Sequence, residues 1–216
     1  MLIPKSGTRM PSPALLVLGT ANRKKAIELV DLLVPLGFEI KSLADFPQAL
    51  SVEETGDTFA ANATLKATEQ ARHLGAWVLG EDSGLSVDAL GGRPGVYSAR
   101  YSGPGATDTT NNARLLTELA AMPIERRTAH FACYAALSDP TGTLRAESHG
   151  RCNGRIRFEA SGSGGFGYDP LFEIVEFHRT FGELGGEIKA VLSHRARAIS
   201  AMIPRLAELH DSGAWS

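Results

Sequence analysis

"ALLVLGTANRKKAIELVDLLVPLGF", Ala14 to Phe38, is the stretch on which the fold class turns. Its apolar opening runs into Gly19-Thr20, the pattern of a buried strand entering a turn. From Asn22 onward Ile27, Val30, Leu33 and Val34 recur at helical spacing, and Pro35 and Gly37 mark the stop. Strand, turn and helix in that order open an α/β layer.

Outward from this unit, residues 1–13 are rich in Pro, Ser and Gly and read as a disordered tail, with 14–211 as a single domain. "FEIKSLADFP" reads as a short strand and connection. "TGDTFAANATLKATEQARHLG" reads as a helix capped by Thr55 or Asp57 and stopped by Gly75, with Phe59, Asn62 and Lys66 on one face. "WVLG" reads as a short strand that delivers a glycine-rich loop, "GEDSGLSVDALGGRPGVYSARYSG", Gly80 to Gly103. A third helix follows from Thr107 or Asp108. Two alternating strands flank the turn "DPTG", and a last helix starts near Ser193 with Ile199, Ile203 and Leu206 as its stripe. This order predicts an α/β fold (α+β mixed), an elongated mixed sheet flanked by helices.

A chain of 216 residues, 43% hydrophobic and 21% charged, can build one sizeable core or two lobes around one cleft. Its net charge of -2 gives no basic face for nucleic acid, so a nucleotide partner would be small. Cys133 and Cys152 lack metal or disulfide-framework spacing and read as buried, reduced thiols. The first residues are too short and Pro-interrupted a run for a signal peptide, and no run of about 18 apolar residues suggests a membrane span, so a cytoplasmic protein without membrane contact is expected.

Four segments carry chemistry-bearing residues. "TANRKK" joins Thr20, Asn22 and Lys25 to a helix start, where backbone N–H groups favour an anion; ordinary capping explains the same residues equally well. "SVEETGDTF" places Glu53 and Glu54 before a helix. If one of them faces Asp82 across a cleft, Glu54, Glu81 and Asp82 become candidates for an oxygen-rich site suited to Mg²⁺. "SGSGGFGYDP" offers Phe166 and Tyr168 for stacking a base, with Asp169 beside them, or else a packed aromatic turn. "KAVLSHRARAI" places Lys189, His194 and Arg195 around Ser193, itself a natural helix cap.

The motifs T-x-N-x-x-K, E-E-T-G-x-T-F, [DE]-D-S-G-L, L-G-G-x-P-G-x-Y-S-A-R, G-F-G-Y-D-P and S-H-R follow one another from Leu15 to Leu206. That series resembles the inosine triphosphate pyrophosphatase family, also called Ham1-like. The resemblance implies a two-lobed fold around a central nucleotide-binding cleft and a Mg²⁺-dependent homodimer. It implies hydrolysis of ITP, dITP and XTP to the monophosphate and pyrophosphate, which cleanses the nucleotide pool. It assigns Thr20, Asn22, Lys25, Lys66 and Ser83 to the triphosphate, and Glu54 and Asp82 to the metal, with Glu81 as a further candidate. It also makes Asp82 the general base, and it assigns Phe166, Gly167, Tyr168 and Asp169 to the nucleoside and Lys189, His194 and Arg195 to reading the base. Two alternatives stand beside it: a pyrophosphatase for another modified or standard nucleotide, and a nucleotide-binding protein that has lost hydrolysis. This chain departs from the family pattern at Ala21, Glu81, Ala61, where bacterial members commonly carry Glu, and Gly182, which suggests a looser segment near Lys189.

Overall fold

Leu15–Leu18 form strand β1, which runs parallel both to β2 (Glu39–Ser42) and to β3 (Val78–Val87). The computed structural model describes residues 14–215, so the expected tail at 1–13 lies outside the described residues. Antiparallel strands β4 (Thr128–Ser138), β5 (Leu144–Ile156), β6 (Phe172–Ile174) and β7 (Arg179–Thr180) extend the sheet in the order β2-β1-β3-β4-β5-β6-β7. Helices α1 (Arg23–Leu33), α2 (Phe59–Leu74), α3 (Asp108–Glu118), α4 (Phe181–Leu192) and α5 (His194–Asp211) complete the mixed α/β architecture.

The two largest hydrophobic clusters share the long central strands. One gathers Leu16, Leu18, Leu29, Leu33, Leu79 and Ile199; the other gathers Leu85, Leu115, Phe131, Ile156, Phe172 and Phe181. Because β3 and β4 contribute to both, the two lobes are parts of one sheet. The packed chain continues to Trp215, whose indole stacks on Trp77 with centroids 4.2 Å apart.

Several local expectations change. On α1 the buried residues are Leu29 and Leu33, whereas Ile27 and Val34 are exposed. Thr58, not Thr55 or Asp57, caps α2 by accepting from the Ala61 N–H. The residues 181–192 form a helix that the glycines of "FGELGGEIKA" conceal, and Gly185 breaks it with φ 78° and ψ 174°.

The largest change concerns "GEDSGLSV". It is not a loop but the body of β3, paired residue for residue with β4 from Val78↔Ser138 to Val87↔Ala129. Its glycines serve helix and loop approach rather than turning. A Cβ on Gly80 would lie 2.4 Å from the Ala63 carbonyl oxygen and 2.6 Å from the Ala67 nitrogen, so α2 rests directly on the strand backbone. Gly80→Ala is therefore expected to cost about 1–3 kcal/mol by overpacking. Thermal denaturation checks this, and an unchanged melting temperature would show that α2 can shift away at no cost.

Strand geometry also fixes which side chains meet. Alternation sends Gly80, Asp82 and Gly84 toward α2, and Glu81, Ser83 and Leu85 to the opposite face, where α5 packs.

Candidate active site

The end of β1 and the start of α1 make the first wall of the cleft. Thr20 is buried and its hydroxyl accepts from the Asn22 N–H at 3.2 Å. Asn22 Oδ1 accepts from the Lys24 and Lys25 N–H groups at 3.0 and 3.2 Å, so the side-chain oxygen caps the helix and only the amide NH₂ remains for a ligand. No acid stands in the first turn of α1, which leaves the positive end of the helix uncompensated there. Ala21 is not among the residues with positive φ, so the turn forms without glycine.

A carboxylate and lysine cluster faces this turn. Lys66 Nζ lies 2.9 Å from Glu54 Oε1 and 2.9 Å from Asp82 Oδ1, bringing the two acids to one point. Arg100 Nη1 holds the other Glu54 oxygen at 3.0 Å, and Asn62 Nδ2 donates to Asp82 Oδ2 at 3.3 Å. Burial lifts the Asp82 carboxyl above the ordinary aspartate value although Lys66 opposes it. Burial would raise Glu54 as well, but Lys66 and Arg100 together hold it below the usual range.

Glu81 does not join that pair. It sits on the other face of β3, wholly buried, with Lys25 Nζ at 2.8 Å and Arg195 Nη2 at 3.3 Å. Those two cations overcome a large burial penalty and hold its carboxyl well below the ordinary glutamate value. The three-carboxylate site expected from the sequence is thus two carboxylates and a separate buried ion pair, because adjacent residues of a strand point to opposite faces. Ser83 shares the Glu81 face and its hydroxyl accepts from Arg195 at 2.9 Å.

The far end of the cleft carries the aromatic loop. Phe166 is half-buried, with Lys189 Nζ 4.3 Å from its ring centroid. Asp169 is buried and accepts from Lys189 at 2.5 Å and from the Phe166 N–H at 2.8 Å. Tyr168 is also buried, but its hydroxyl donates to the Ser98 carbonyl at 2.8 Å and its ring belongs to the core, which makes it a support of the loop. Ser193 caps α5 as expected, accepting from Ala196 N–H at 3.1 Å. His194 stacks on Phe131 with centroids 4.7 Å apart, and burial with Arg195 nearby keeps its imidazole neutral. Cys133 and Cys152 are buried free thiols, raised by burial above ordinary thiol values.

One cleft collects these groups. Asn22, Lys25, Glu54, Asp82 and Ser83 line it together with Phe166 through Asp169, Lys189, His194 and Arg195. A neighbouring hollow holds Thr20 and Lys66 and shares Asn22, Lys25 and Glu54 with it. Glu81 lines neither hollow.

Sequence reasoning passed over Glu28. Its carboxylate binds Lys189 Nζ at 2.8 Å and, through Oε2, the Arg195 guanidinium, tying α1 to α4 and α5. No local signal in the sequence marks it, because its partners Lys189 and Arg195 lie on distant helices. Gly182, read as a sign of looseness, is a tight contact: a Cβ on Gly162 would lie 2.2 Å from its carbonyl carbon, and Gly182 O accepts from the Gly164 N–H at 3.0 Å. Ala61 occupies the third position of α2, where an acid would complete a capping box with Thr58; here only the hydroxyl half is present.

Among the described residues no group of three or more His, Cys, Asp and Glu gathers to hold a metal. Two convergent carboxylates are nevertheless a fitting donor set for Mg²⁺, which takes one or two acids and completes its shell with substrate phosphates and water. Glu54 and Asp82 would be those acids.

A helix N-terminus for anions, a paired-carboxylate center and an aromatic loop, set between two lobes of one mixed sheet, define an α/β protein with an anion-and-ring cleft. The chain belongs to the Ham1 family, whose model matches residues 16–205. It is 54% identical to a dITP/XTP pyrophosphatase of Rhodopirellula baltica over 93% of this chain and 97% of that protein. A second dITP/XTP pyrophosphatase, from Desulforamulus reducens, is 47% identical over 90% of this chain and 96% of its own length. Among solved structures, a HAM1 protein from Coxiella burnetii superposes with a TM-score of 0.82 at 36% identity, covering 90% of this chain and 98% of that one.

Proposed function

We propose that this protein hydrolyses the triphosphates of deaminated purines, ITP, dITP and XTP, to the nucleoside monophosphate and pyrophosphate. The observation that carries the reading is Lys66 drawing Glu54 and Asp82 to one point between an anion-binding turn and an aromatic loop. The names of the relatives support it. Mg²⁺ dependence and a homodimeric state belong to the same proposal and rest on the family resemblance; a cytoplasmic location belongs to it as the expectation from the sequence. Among the described residues no helix is long and apolar enough to cross a membrane.

Cleavage between the α- and β-phosphates requires charge neutralisation and a water held in line. Thr20, the Asn22 amide, Lys25 and the N-terminus of α1 bind the phosphates. Asp82, which burial makes more basic than an ordinary aspartate, orients that water and accepts its proton. Bound Mg²⁺ would add Lewis-acid polarisation of the phosphoryl oxygens from Glu54 and Asp82. At the other end the Phe166 ring offers a stacking face. Arg195 Nε and His194 Nδ1 are buried without hydrogen-bond partners among the described residues, and both residues line the cleft. A donor there is satisfied by the 6-oxygen of hypoxanthine or xanthine and opposed by the 6-amino group of adenine, a mismatch costing about 1–3 kcal/mol.

Pyrophosphate release from ITP, dITP, XTP, GTP and ATP, with Mg²⁺ and with EDTA, tests the proposal. Expected is Mg²⁺-dependent release from the first three at rates far above that from ATP by the 6-position mismatch, and far above that from GTP on the family resemblance, since guanine shares the 6-oxygen. Equal rates on ATP would overturn the selectivity, and binding of ITP without release would identify a binding protein instead.

A further inference from the structure

At the tip of the aromatic loop both backbone polar groups of Phe166 and of Gly167 are engaged. From inside the turn, Asp169 Oδ2 accepts from the Phe166 N–H at 2.8 Å, and the Asp169 N–H donates to Phe166 O at 3.2 Å. From outside, the Gly167 N–H donates to Asp108 Oδ2 at 2.9 Å and Gly167 O accepts from Asn112 Nδ2 at 3.0 Å. Asp108 and Asn112 stand four residues apart on α3 and therefore share a face. Gly167 holds φ at +61°, the left-handed region that suits glycine.

We propose that Asp108 and Asn112 are positioning residues for nucleoside recognition, which grip both polar groups of Gly167 and through it aim the Phe166 ring. The inference rests on the functional reading above in so far as that ring faces a base. Three cations approach the ring face: Lys189 at 4.3 Å, Lys24 at 5.7 Å and Arg195 at 6.0 Å. Such contacts attract a ring face over a broad range of positions, so they fix its direction poorly. The backbone grip supplies the direction. Neither residue belongs to the carboxylate and lysine cluster, so the effect belongs to binding and not to the chemical step.

Asp108 also meets Lys24 Nζ at 3.4 Å, and the two roles can be separated. Asp108→Asn keeps an acceptor for Gly167 and removes the charge that draws Lys24. Asn112→Ala removes only the donor to Gly167 O. That variant should fold, since alanine favours the helix and the lost Asn112 Oδ1 is a buried atom with no partner among the described residues.

The full-length protein is tested for kcat and KM on ITP, for inhibition by inorganic tripolyphosphate, and for amide hydrogen exchange over residues 161–172. Asn112→Ala and Asp108→Ala are each expected to raise KM about 3–10-fold, the loss of one hydrogen bond, with kcat within about twofold of wild type. Tripolyphosphate inhibition should be unchanged, exchange in the loop should quicken, and Asp108→Asn should restore both KM and exchange. Unchanged exchange in Asn112→Ala overturns the proposal, as does tripolyphosphate inhibition weakening in step with KM, which would mark general damage to the cleft. Failure of the wild-type protein to hydrolyse ITP overturns the functional reading instead, and the exchange measurement alone then judges the grip on Gly167.

Discussion

Asp82→Asn is expected to lower kcat on ITP about a thousandfold, within the range that a lost general base produces, while nucleotide binding survives. The substitution is nearly isosteric, and Asn62 and Lys66 remain in place around it. What disappears is an anionic oxygen whose affinity for a proton is raised by burial. As the base, Asp82 must lose its proton before it can act, so wild-type activity should rise with pH on the acid side; in Asp82→Asn that dependence should vanish. Steady-state kinetics across acid pH, together with calorimetric titration of nucleotide, check both points. A variant that retains more than about a tenth of wild-type turnover would remove Asp82 from the handling of water.

The α/β class was legible in Ala14–Phe38 because a buried strand, a tight turn and a capped helix each leave a local signature. The side of α1 that faces the core was legible in part. Leu33 is buried and Val30 packs on the core as the spacing predicts, but Leu29 is buried where Ile27 and Val34 are exposed, and only the positions of β1 and α5 decide this. The nature of "GEDSGLSV" was hidden for a related reason. Glycine at 80 and 84 is demanded by the close approach of α2 and of the segment around Ser98, a tertiary requirement that looks like a turn in one dimension. That misreading carried a chemical consequence. As a loop the segment lets Glu81 and Asp82 converge, whereas as a strand it separates them. The motif residues themselves could be found, since T-x-N-x-x-K, G-F-G-Y-D-P and S-H-R lie at helix starts or turns where sequence and geometry are tightly linked. Glu28 escaped notice because a mid-helix glutamate has no local mark of function; its role exists only through Lys189 and Arg195, more than 150 residues away in the chain.

Glu81→Gln distinguishes a structural ion pair from a metal ligand. Glu81 is fully buried, with Lys25 at 2.8 Å, Arg195 at 3.3 Å and the Cys133 thiol donating to it at 3.3 Å. The amide preserves volume but withdraws the negative charge from Arg195, itself 1% exposed and left with Glu28 as its carboxylate partner. Removing one member of such a buried pair costs about 3–5 kcal/mol. In a domain of this size that corresponds to a fall of roughly 6–20 °C in melting temperature at neutral pH. The pH dependence follows from linkage. The folded carboxyl titrates well below its ordinary value of 4.5, so its contribution is fully present above that value and is lost as pH falls through the lower, folded one. The gap in melting temperature between wild type and Glu81→Gln should therefore be wide at neutral pH and close in strong acid. Melting curves over that range, paired with the Mg²⁺ dependence of turnover, read the two roles separately. If Glu81 were a metal ligand, the melting temperature would hold and the Mg²⁺ requirement would rise. The arrangement points the other way, because Glu81 is already paired with Lys25 and Arg195 and lines neither hollow.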